Sequence, residues 1–451
     1  MNFLHQAFGK KQWWGFFLLA LAVFYVLIQW NNNPLVTSDA AEYWWAGYNL
    51  FERGILYSGD LDQNIFHHLY SRRPLAYAAF VYGLSGRELN FTLLKIVQML
   101  MLLSNIILVW HLAKQYTKKR LSQWRLALLC LLTPAIFIYT GIAMSEIAMQ
   151  TVLLWSFYFF CAFLRTKKMS YVWVYNGILC LGLLVKPIFL PFVFVNILVH
   201  LFAFLRYKKY VLLAAFFLPI SCYLGVSYYN YTNTGVYHFS SMGQFNLIYY
   251  NLYGFLSQQT SPQEAKVLLD AFVTLPYDNY GDFYDRMSLE TNALLKEHFF
   301  GYTWYHIKGS FLMLFDPGRF DLYTLFEMEN NRQTGMLDQI LAGGSYVANI
   351  KRMLLSQDFW ILICLGLVFL GNLIKLSGLF LFSKVKQIPW ELRAFVVLWI
   401  AYVVLITGPV GVSRYMVPLF PFLLFAFLLA PLKRKNRFFK RLKNLDLGED
   451  F

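Results

Sequence analysis

The chain has 451 residues, of which 58% are hydrophobic, 20% aromatic and only 14% charged, and its formal net charge is +15. Soluble domains carry about 25% charged residues, so this composition excludes an ordinary water-soluble domain and takes lipid as its main solvent. The basic balance fits membrane sidedness and contact with anionic lipid rather than nucleic-acid binding. All five cysteines fall in apolar runs without ligand spacing, which reads as free thiols packing as small hydrophobes.

Apolar runs near the ~20 residues that cross a bilayer predict ten spans, at 13–30, 90–113, 125–143, 147–164, 171–186, 187–205, 210–229, 358–375, 392–408 and 415–431. The first is too long for a cleavable signal and ends in Gln29-Trp30-Asn31, with no small-residue cleavage site. Basic segments then recur at every second connection: Lys10-Lys11, Lys114 to Arg125, Arg165 to Lys168, Arg206 to Lys209, Lys375 to Arg393, and the tail from Lys433. They hold 24 of the 39 Lys and Arg but only 4 of the 24 acids. By the positive-inside rule these segments and both termini are cytoplasmic. The expected fold is an all-α integral membrane protein of about ten transmembrane helices, with interfacial helices in two long outer loops. Its parts are a transmembrane module over 1–229 containing outer loop one at 31–89, a large outer segment over 230–357, and C-terminal spans with a basic tail over 358–451.

Loop one opens on Asp39-Ala40-Ala41-Glu42-Tyr43. Thr37, Ser38 and Asp39 are all good N-cap types, so Asp39 reads either as a helix cap or as a functional carboxylate. At helical spacing Trp44, Tyr48 and Phe51 share one face, which predicts a helix lying in the headgroup layer. Asp60-Leu61-Asp62 reads as a solvated turn, and His67-His68 as interfacial side chains lacking a carboxylate at ligand spacing. Arg72-Arg73-Pro74 closes the polar part of the loop. Leu75 to Leu84 is too short to span and predicts a second interfacial helix. Lys95, inside span two, is either another phosphate ligand or a snorkelling side chain.

Glu146 falls at the tight outer turn between spans three and four, a depth at which ionisable groups are costly and usually functional. Lys186-Pro187 joins spans five and six at the same outer boundary. In the large outer segment, Ser261-Pro262-Gln263-Glu264 is a helix start, followed by apolar positions Val267, Leu268, Ala271 and Phe272. A further helix is expected over 282–300, and a third over Trp304 to Phe315, stopped by Asp316-Pro317-Gly318. Arg414-Tyr415 opens the last span. Arg73, Lys186 and Arg414 thus converge on one leaflet, where cations are otherwise scarce. Arginine offers phosphate a bidentate fork and lysine a point charge.

Five pieces in order carry a resemblance: Asp39-Ala40-Ala41-Glu42-Tyr43, Arg73-Pro74, Ser145-Glu146, Lys186-Pro187, and Arg414-Tyr415-Met416-Val417-Pro418-Leu419-Phe420-Pro421. They resemble the GT-C superfamily of polytopic membrane glycosyltransferases, particularly the branch of protein O-mannosyltransferases and the lipid A aminoarabinose transferase. Many mannosyltransferases carry adjacent Asp-Glu in the first loop, whereas here Ala40 follows Asp39, which leaves substrate class and any divalent cation open. The resemblance implies a polyprenyl-phosphate sugar donor and a lipid, glycan or protein acceptor. It implies Asp39 as general base, its pKa raised by burial, and Glu146 orienting a substrate or sharing that role. Arg73, Lys186 and Arg414 would hold the donor phosphate, with Glu42, Tyr43, Arg72 and Tyr415 as further substrate contacts. A bacterial inner membrane with the site on the periplasmic side is the expected setting. The competing readings are a lipid-linked oligosaccharide flippase or solute carrier, and an O-antigen ligase or polymerase of another architecture. Ionisable groups gathered at one face beside two long outer segments disfavour a transporter, which places polar residues at the midplane.

Overall fold

The computed structural model describes residues 13–117, 120–273, 277–327, 351, 359–410 and 412–431. Among them every regular element is helical, apart from one antiparallel bridge between Tyr57 and Tyr70. Among the described residues six helices are long and apolar enough to cross a membrane: Thr92–Gln115, Glu146–Thr166, Phe189–Tyr207, Val211–Thr234, Phe359–Ser383 and Trp390–Thr407. The chain is an integral membrane protein built from helices. The other four predicted spans fall on shorter elements, namely Trp14–Ile28, Gln123–Leu131 with Ala135–Ile138, Ser170–Val185 and Phe420–Leu429. Lys10-Lys11, the tail from Lys433 and most of 328–357 lie outside the described residues.

Proline sets where several of these helices stop. Ser170–Val185 ends at Lys186, which is extended at φ −155° and ψ 129°, because the ring of Pro187 disfavours helical backbone in the residue before it. The third predicted span is not continuous for the same reason. Pro134 cannot donate to the helical ladder, so Gln123–Leu131 stops ahead of it and one short turn, Ala135–Ile138, follows. From Tyr139 to Ser145 the chain is irregular yet buried. Its backbone groups are met by other parts of the bundle: Gln98 Nε2 donates to Thr140 O (3.1 Å) and Ile142 O (2.9 Å), Tyr77 OH to Met144 O (2.6 Å), and Ala143 N to Pro34 O (3.0 Å). Irregular backbone at membrane depth is tolerated only with such partners.

The two loop-one helices, Ser38–Arg53 and Leu75–Ser85, pack on each other rather than lying separately in the headgroups. Trp44, Tyr77, Ala78 and Val81 are buried, while Phe51 alone of the predicted aromatic face is largely exposed. Gly47 makes the crossing close: a Cβ there would overlap the Ala78 carbonyl oxygen and Tyr82 Cβ. Neither obstacle is the free end of a flexible side chain. Gly47→Ala therefore overpacks the hairpin and lowers stability by about 1–3 kcal/mol, read as earlier thermal unfolding in detergent.

Two lysines differ from their expected settings. Lys95 Nζ donates to the carbonyls of Gln29 (2.8 Å), Trp30 (3.0 Å) and Asn32 (2.9 Å), closing the end of helix Trp14–Ile28. Lys375 is not a cytoplasmic surface charge. Helix Phe359–Ser383 runs two turns past it, leaving Lys375 2% exposed with Nζ 3.2 Å from Thr133 Oγ1.

The outer segment builds an apolar cluster of its own from Ile248, Leu252, Phe255, Leu269, Phe283 and Met287, among others. Helix Pro262–Val273 starts as expected, with Ser261 Oγ accepting from Glu264 N at 3.2 Å. Its buried face differs: Ala265 and Leu269 turn inward while Val267 and Leu268 are exposed. The next helices are Tyr280–Glu297 and Phe299–Met313, and Gly318 turns the chain at φ +74° into the short helix Arg319–Leu325.

Candidate active site

Loop one is fastened before it is charged. Thr37, not Asp39, caps helix Ser38–Arg53, its Oγ1 accepting from Ala40 N at 3.2 Å. Asp39 then lies in the first turn, where the helix dipole favours negative charge, and its carboxylate is free for other partners. Arg72 and Arg73 sit on backbone stitched from both sides: Ser58 Oγ accepts from Arg73 N (3.2 Å), and Ser240 Oγ of the outer segment donates to Arg72 O (3.2 Å).

These side chains meet at a cavity of about 400 Å³. Arg73 Nη2 lies 2.6 Å from Asp39 Oδ1 and its Nε donates to Glu42 Oε2 at 2.7 Å. Arg414, 375 residues further along the chain, donates from Nη1 to Asp39 Oδ2 at 3.0 Å. Lys186 Nζ donates to Glu146 Oε1 at 2.9 Å, and Arg414 Nε stands 3.7 Å from the same oxygen. Tyr43 OH donates to Ser145 Oγ at 3.1 Å, and Tyr415 OH accepts from Arg414 Nη2 at 3.1 Å. Arg72 Nε comes within 3.0 Å of Glu42 Oε2, although the N–H is not aimed at it, and the guanidinium lies 3.4 Å above the Phe245 ring. Of the nine residues singled out from the sequence, Asp39, Tyr43, Arg72, Arg73, Glu146, Lys186, Arg414 and Tyr415 line the cavity. Glu42 does not line it and is spent on the two arginines.

One electrostatic expectation is reversed. Burial alone would push the Asp39 carboxyl up, but the charges of Arg73 and Arg414 outweigh it and hold the group well below the usual carboxylate range. Both Asp39 oxygens accept from these arginines. Glu146 is 0% exposed, and its Oε2 has no hydrogen-bond partner.

The cavity also holds residues that the sequence reading passed over. Asp321, on Arg319–Leu325, accepts from Tyr139 OH at 2.9 Å and from Ser413 Oγ at 2.7 Å. Burial lifts its carboxyl to about 6, against the pull of those two hydrogen bonds. Asp316 accepts from Ser413 N at 2.5 Å and Gly318 N at 3.1 Å. Met242, Asn246 and Tyr250, four residues apart across a π-helical stretch at Leu247–Leu252, face the cavity from the outer segment. The one available signal was Asp316-Pro317-Gly318, which reads as a turn and places two acids near it.

Other sequence candidates stay apart from the cavity. Asp60 accepts from Asp62 N (3.0 Å) and Gln63 Nε2 (3.1 Å), and Asp62 pairs with Arg53, so this acidic triplet is a closed turn. His68 stacks on Phe245, and burial next to Arg72 and His67 pulls it down to about 4, leaving it neutral. Among the described residues no three His, Cys, Asp or Glu side chains gather as metal ligands. Asp39, Glu42 and Glu146 are instead each paired with arginine or lysine. That is no ligand set for a divalent cation.

No protein-family model and no curated protein matches the sequence. Among solved structures the chain is similar to the archaeal oligosaccharyltransferase AglB from Archaeoglobus fulgidus, in complex with an inhibitory peptide and a dolichol-phosphate. The identity is 13% and the TM-score 0.46, over 98% of this chain and 53% of that one. The chain thus spans about half the length of that protein.

Proposed function

We propose that the protein is a GT-C-type glycosyltransferase, moving a sugar from a polyprenyl-phosphate donor to an acceptor hydroxyl at the non-cytoplasmic face of the membrane. The observation that carries this reading is the convergence of Arg73, Arg414 and Lys186, from three distant parts of the chain, on one cavity beside Asp39 and Glu146. The cations have donors to spare. Arg414 Nε has no hydrogen-bond partner, and Lys186 is given one carboxylate for its three protons. Glu146 Oε1 stands between them, in the place an anionic phosphate oxygen would occupy.

Held by these groups in a water-poor site, the phosphate leaves the anomeric carbon with its growing charge stabilised electrostatically. A phosphate leaving group is a weak base, with second pKa near ~6, so no general acid is needed, and direct displacement inverts the anomeric centre. Asp39 keeps Arg73 and Arg414 aimed into the pocket. Glu146, with one oxygen unpartnered, orients the sugar. Tyr43, Arg72 and Tyr415 complete the wall, and the outer-segment face of Met242, Asn246 and Tyr250 bounds the acceptor side. A bacterial inner membrane, with the pocket facing the periplasm, is the setting this reading favours.

The test uses purified protein and a panel of labelled short-chain polyprenyl-phosphate hexoses and pentoses. The expected result is cleavage of at least one donor with release of polyprenyl phosphate. Added polyprenyl phosphate should inhibit, and the unphosphorylated polyprenol should not. Arg414→Ala should lose cleavage by about 10²-fold or more, the scale seen when one preorganised charge-stabilising donor is removed. Donors that pass through vesicles intact, with no bond broken, would turn the reading into that of a flippase.

A further inference from the structure

The arginines that clamp Asp39 raise a question of proton destination. A hydroxyl attacking the anomeric carbon must lose its proton, and both Asp39 oxygens already accept from cations. Glu146 has one oxygen on Lys186 and no hydroxyl bonded to the other, whereas a further carboxylate of the cavity has different partners. Asp321 is bound by hydroxyls, Tyr139 OH on one oxygen and Ser413 Oγ on the other. Ser413 and Asp321 both line the same cavity as Lys186 and Arg414, and Ser413 precedes Arg414 in the chain. The serine is held by its own backbone, since its N–H donates to Asp316 Oδ2 at 2.5 Å. Gly318 keeps the carboxylate close: a Cβ there would come within 2.6 Å of Asp321 Oδ2 and 3.1 Å of Ser413 Oγ.

We infer that Asp321 is the terminal proton acceptor of the transfer, reached from the acceptor hydroxyl through Ser413. As the acceptor oxygen bonds to the anomeric carbon, its proton passes to Ser413 Oγ and the proton of Ser413 passes to Asp321 Oδ2. The bond between the anomeric carbon and the phosphate oxygen breaks, and its electron pair leaves with polyprenyl phosphate. Asp321 later returns the proton to water. Burial lifts its carboxyl to about 6, near the value at which a base is both ionised and basic at neutral pH. The groups acting on it are Asp316 from the preceding turn, Tyr139 after the broken span and Arg414 from the 413–416 turn; Arg319, on its own helix, lines the same large cavity, and Lys375 lies beyond it. That lysine shares with Asp321 a neighbouring cavity of about 20 Å³.

This inference rests on the glycosyl-transfer reading, and one set of measurements separates the two. Cleavage of polyprenyl-phosphate sugars is followed from pH 5 to 9 for the wild-type protein, Asp321→Asn, Ser413→Ala and Tyr139→Phe, alongside binding of polyprenyl phosphate to each. The wild type should show an acid limb near pH 6. Asp321→Asn should lose about 10²-fold or more in kcat at neutral pH, keep polyprenyl phosphate binding within about threefold, and lose the limb. Ser413→Ala should follow in kcat. Tyr139→Phe removes a hydrogen bond that favours the charged carboxylate, so its limb should move to higher pH, a shift that a purely structural role would not produce.

Stability gives a second readout. A carboxyl raised by the fold contributes stability that is full below its unfolded pKa and is lost as pH rises through about 6. Asp321→Asn should therefore raise the unfolding temperature above pH 6, with the gain vanishing near pH 4. An active Asp321→Asn enzyme with the wild-type acid limb overturns the relay and leaves the glycosyl-transfer reading standing. A wild-type protein that cleaves no donor overturns both.

Discussion

Arg73→Ala is expected to abolish the proposed transfer and to lower stability by about 3–5 kcal/mol, the cost of leaving buried carboxylates without their cation. The size follows from the setting. The Arg73 side chain is 5% exposed and contacts two carboxylates at once, Asp39 at 2.6 Å and Glu42 at 2.7 Å. Removing it leaves Asp39 only Arg414, and leaves Glu42 only an Arg72 whose N–H is not aimed at it. Arg73→Lys keeps the charge without the planar fork that spans both acids, so it should recover part of the stability and little of the activity. The contrast is Arg87, which pairs with Glu52 but is 68% exposed. Arg87→Ala should leave stability essentially unchanged, as solvent screens an exposed pair. Thermal unfolding in detergent separates the two arginines, and equal effects would mean that burial is not what gives the Arg73 cluster its weight.

The same cluster sets an acid limit. Asp39 is held below its unfolded value, so its contribution is complete above about pH 4 and is lost as pH falls through the depressed folded value. Asp321 behaves with the opposite sign, and the two carboxylates share one cavity. Their direct hydrogen-bond partners differ: Asp39 accepts from guanidinium groups and Asp321 from hydroxyls. On the relay proposed above, groups pushed apart in this way would divide tasks between anchoring and proton transfer.

The cationic side of the pocket was legible in the sequence because lipid makes charge expensive. Arg73, Lys186 and Arg414 fall at the leaflet where cations are scarce, so sidedness alone put them together, and distances of 3.0 Å or less to Asp39 and Glu146 follow. The acidic side was not legible. Asp316 lies on a polar turn and Asp321 in the short helix after it, where acids are ordinary, and only the tertiary path of 413–416 brings Ser413 between them. Apolar content also hid the broken third span: Pro134 was there to be read, but the amides that make an unwound segment tolerable, such as Gln98, come from another helix. Trp44 looked interfacial for a similar reason. Its partner helix Leu75–Ser85 has no marking in the sequence beyond its short length, and the burial depends on Gly47.

The second large effect is expected at Lys186. Glu146 is 0% exposed and its Oε1 accepts from Lys186 Nζ at 2.9 Å. In Lys186→Met the nearest cation left to it is Arg414, whose Nε stands 3.7 Å away. An ionised carboxylate stranded in that position should cost about 3–5 kcal/mol, and the proposed phosphate site would lose a ligand as well. Adding Glu146→Gln removes the stranded charge and lets the amide use the unpartnered Oε2 side of the site. The double variant should then regain about 0.5–3 kcal/mol over the single one, the range of coupling between residues in contact, while staying inactive. Stability and activity separate because the fold needs only a neutral pair, whereas holding an anion needs the positive charge itself. A double variant no more stable than Lys186→Met would show that the pair does not hold this corner together. A double variant that still transfers sugar would remove Lys186 from the phosphate site.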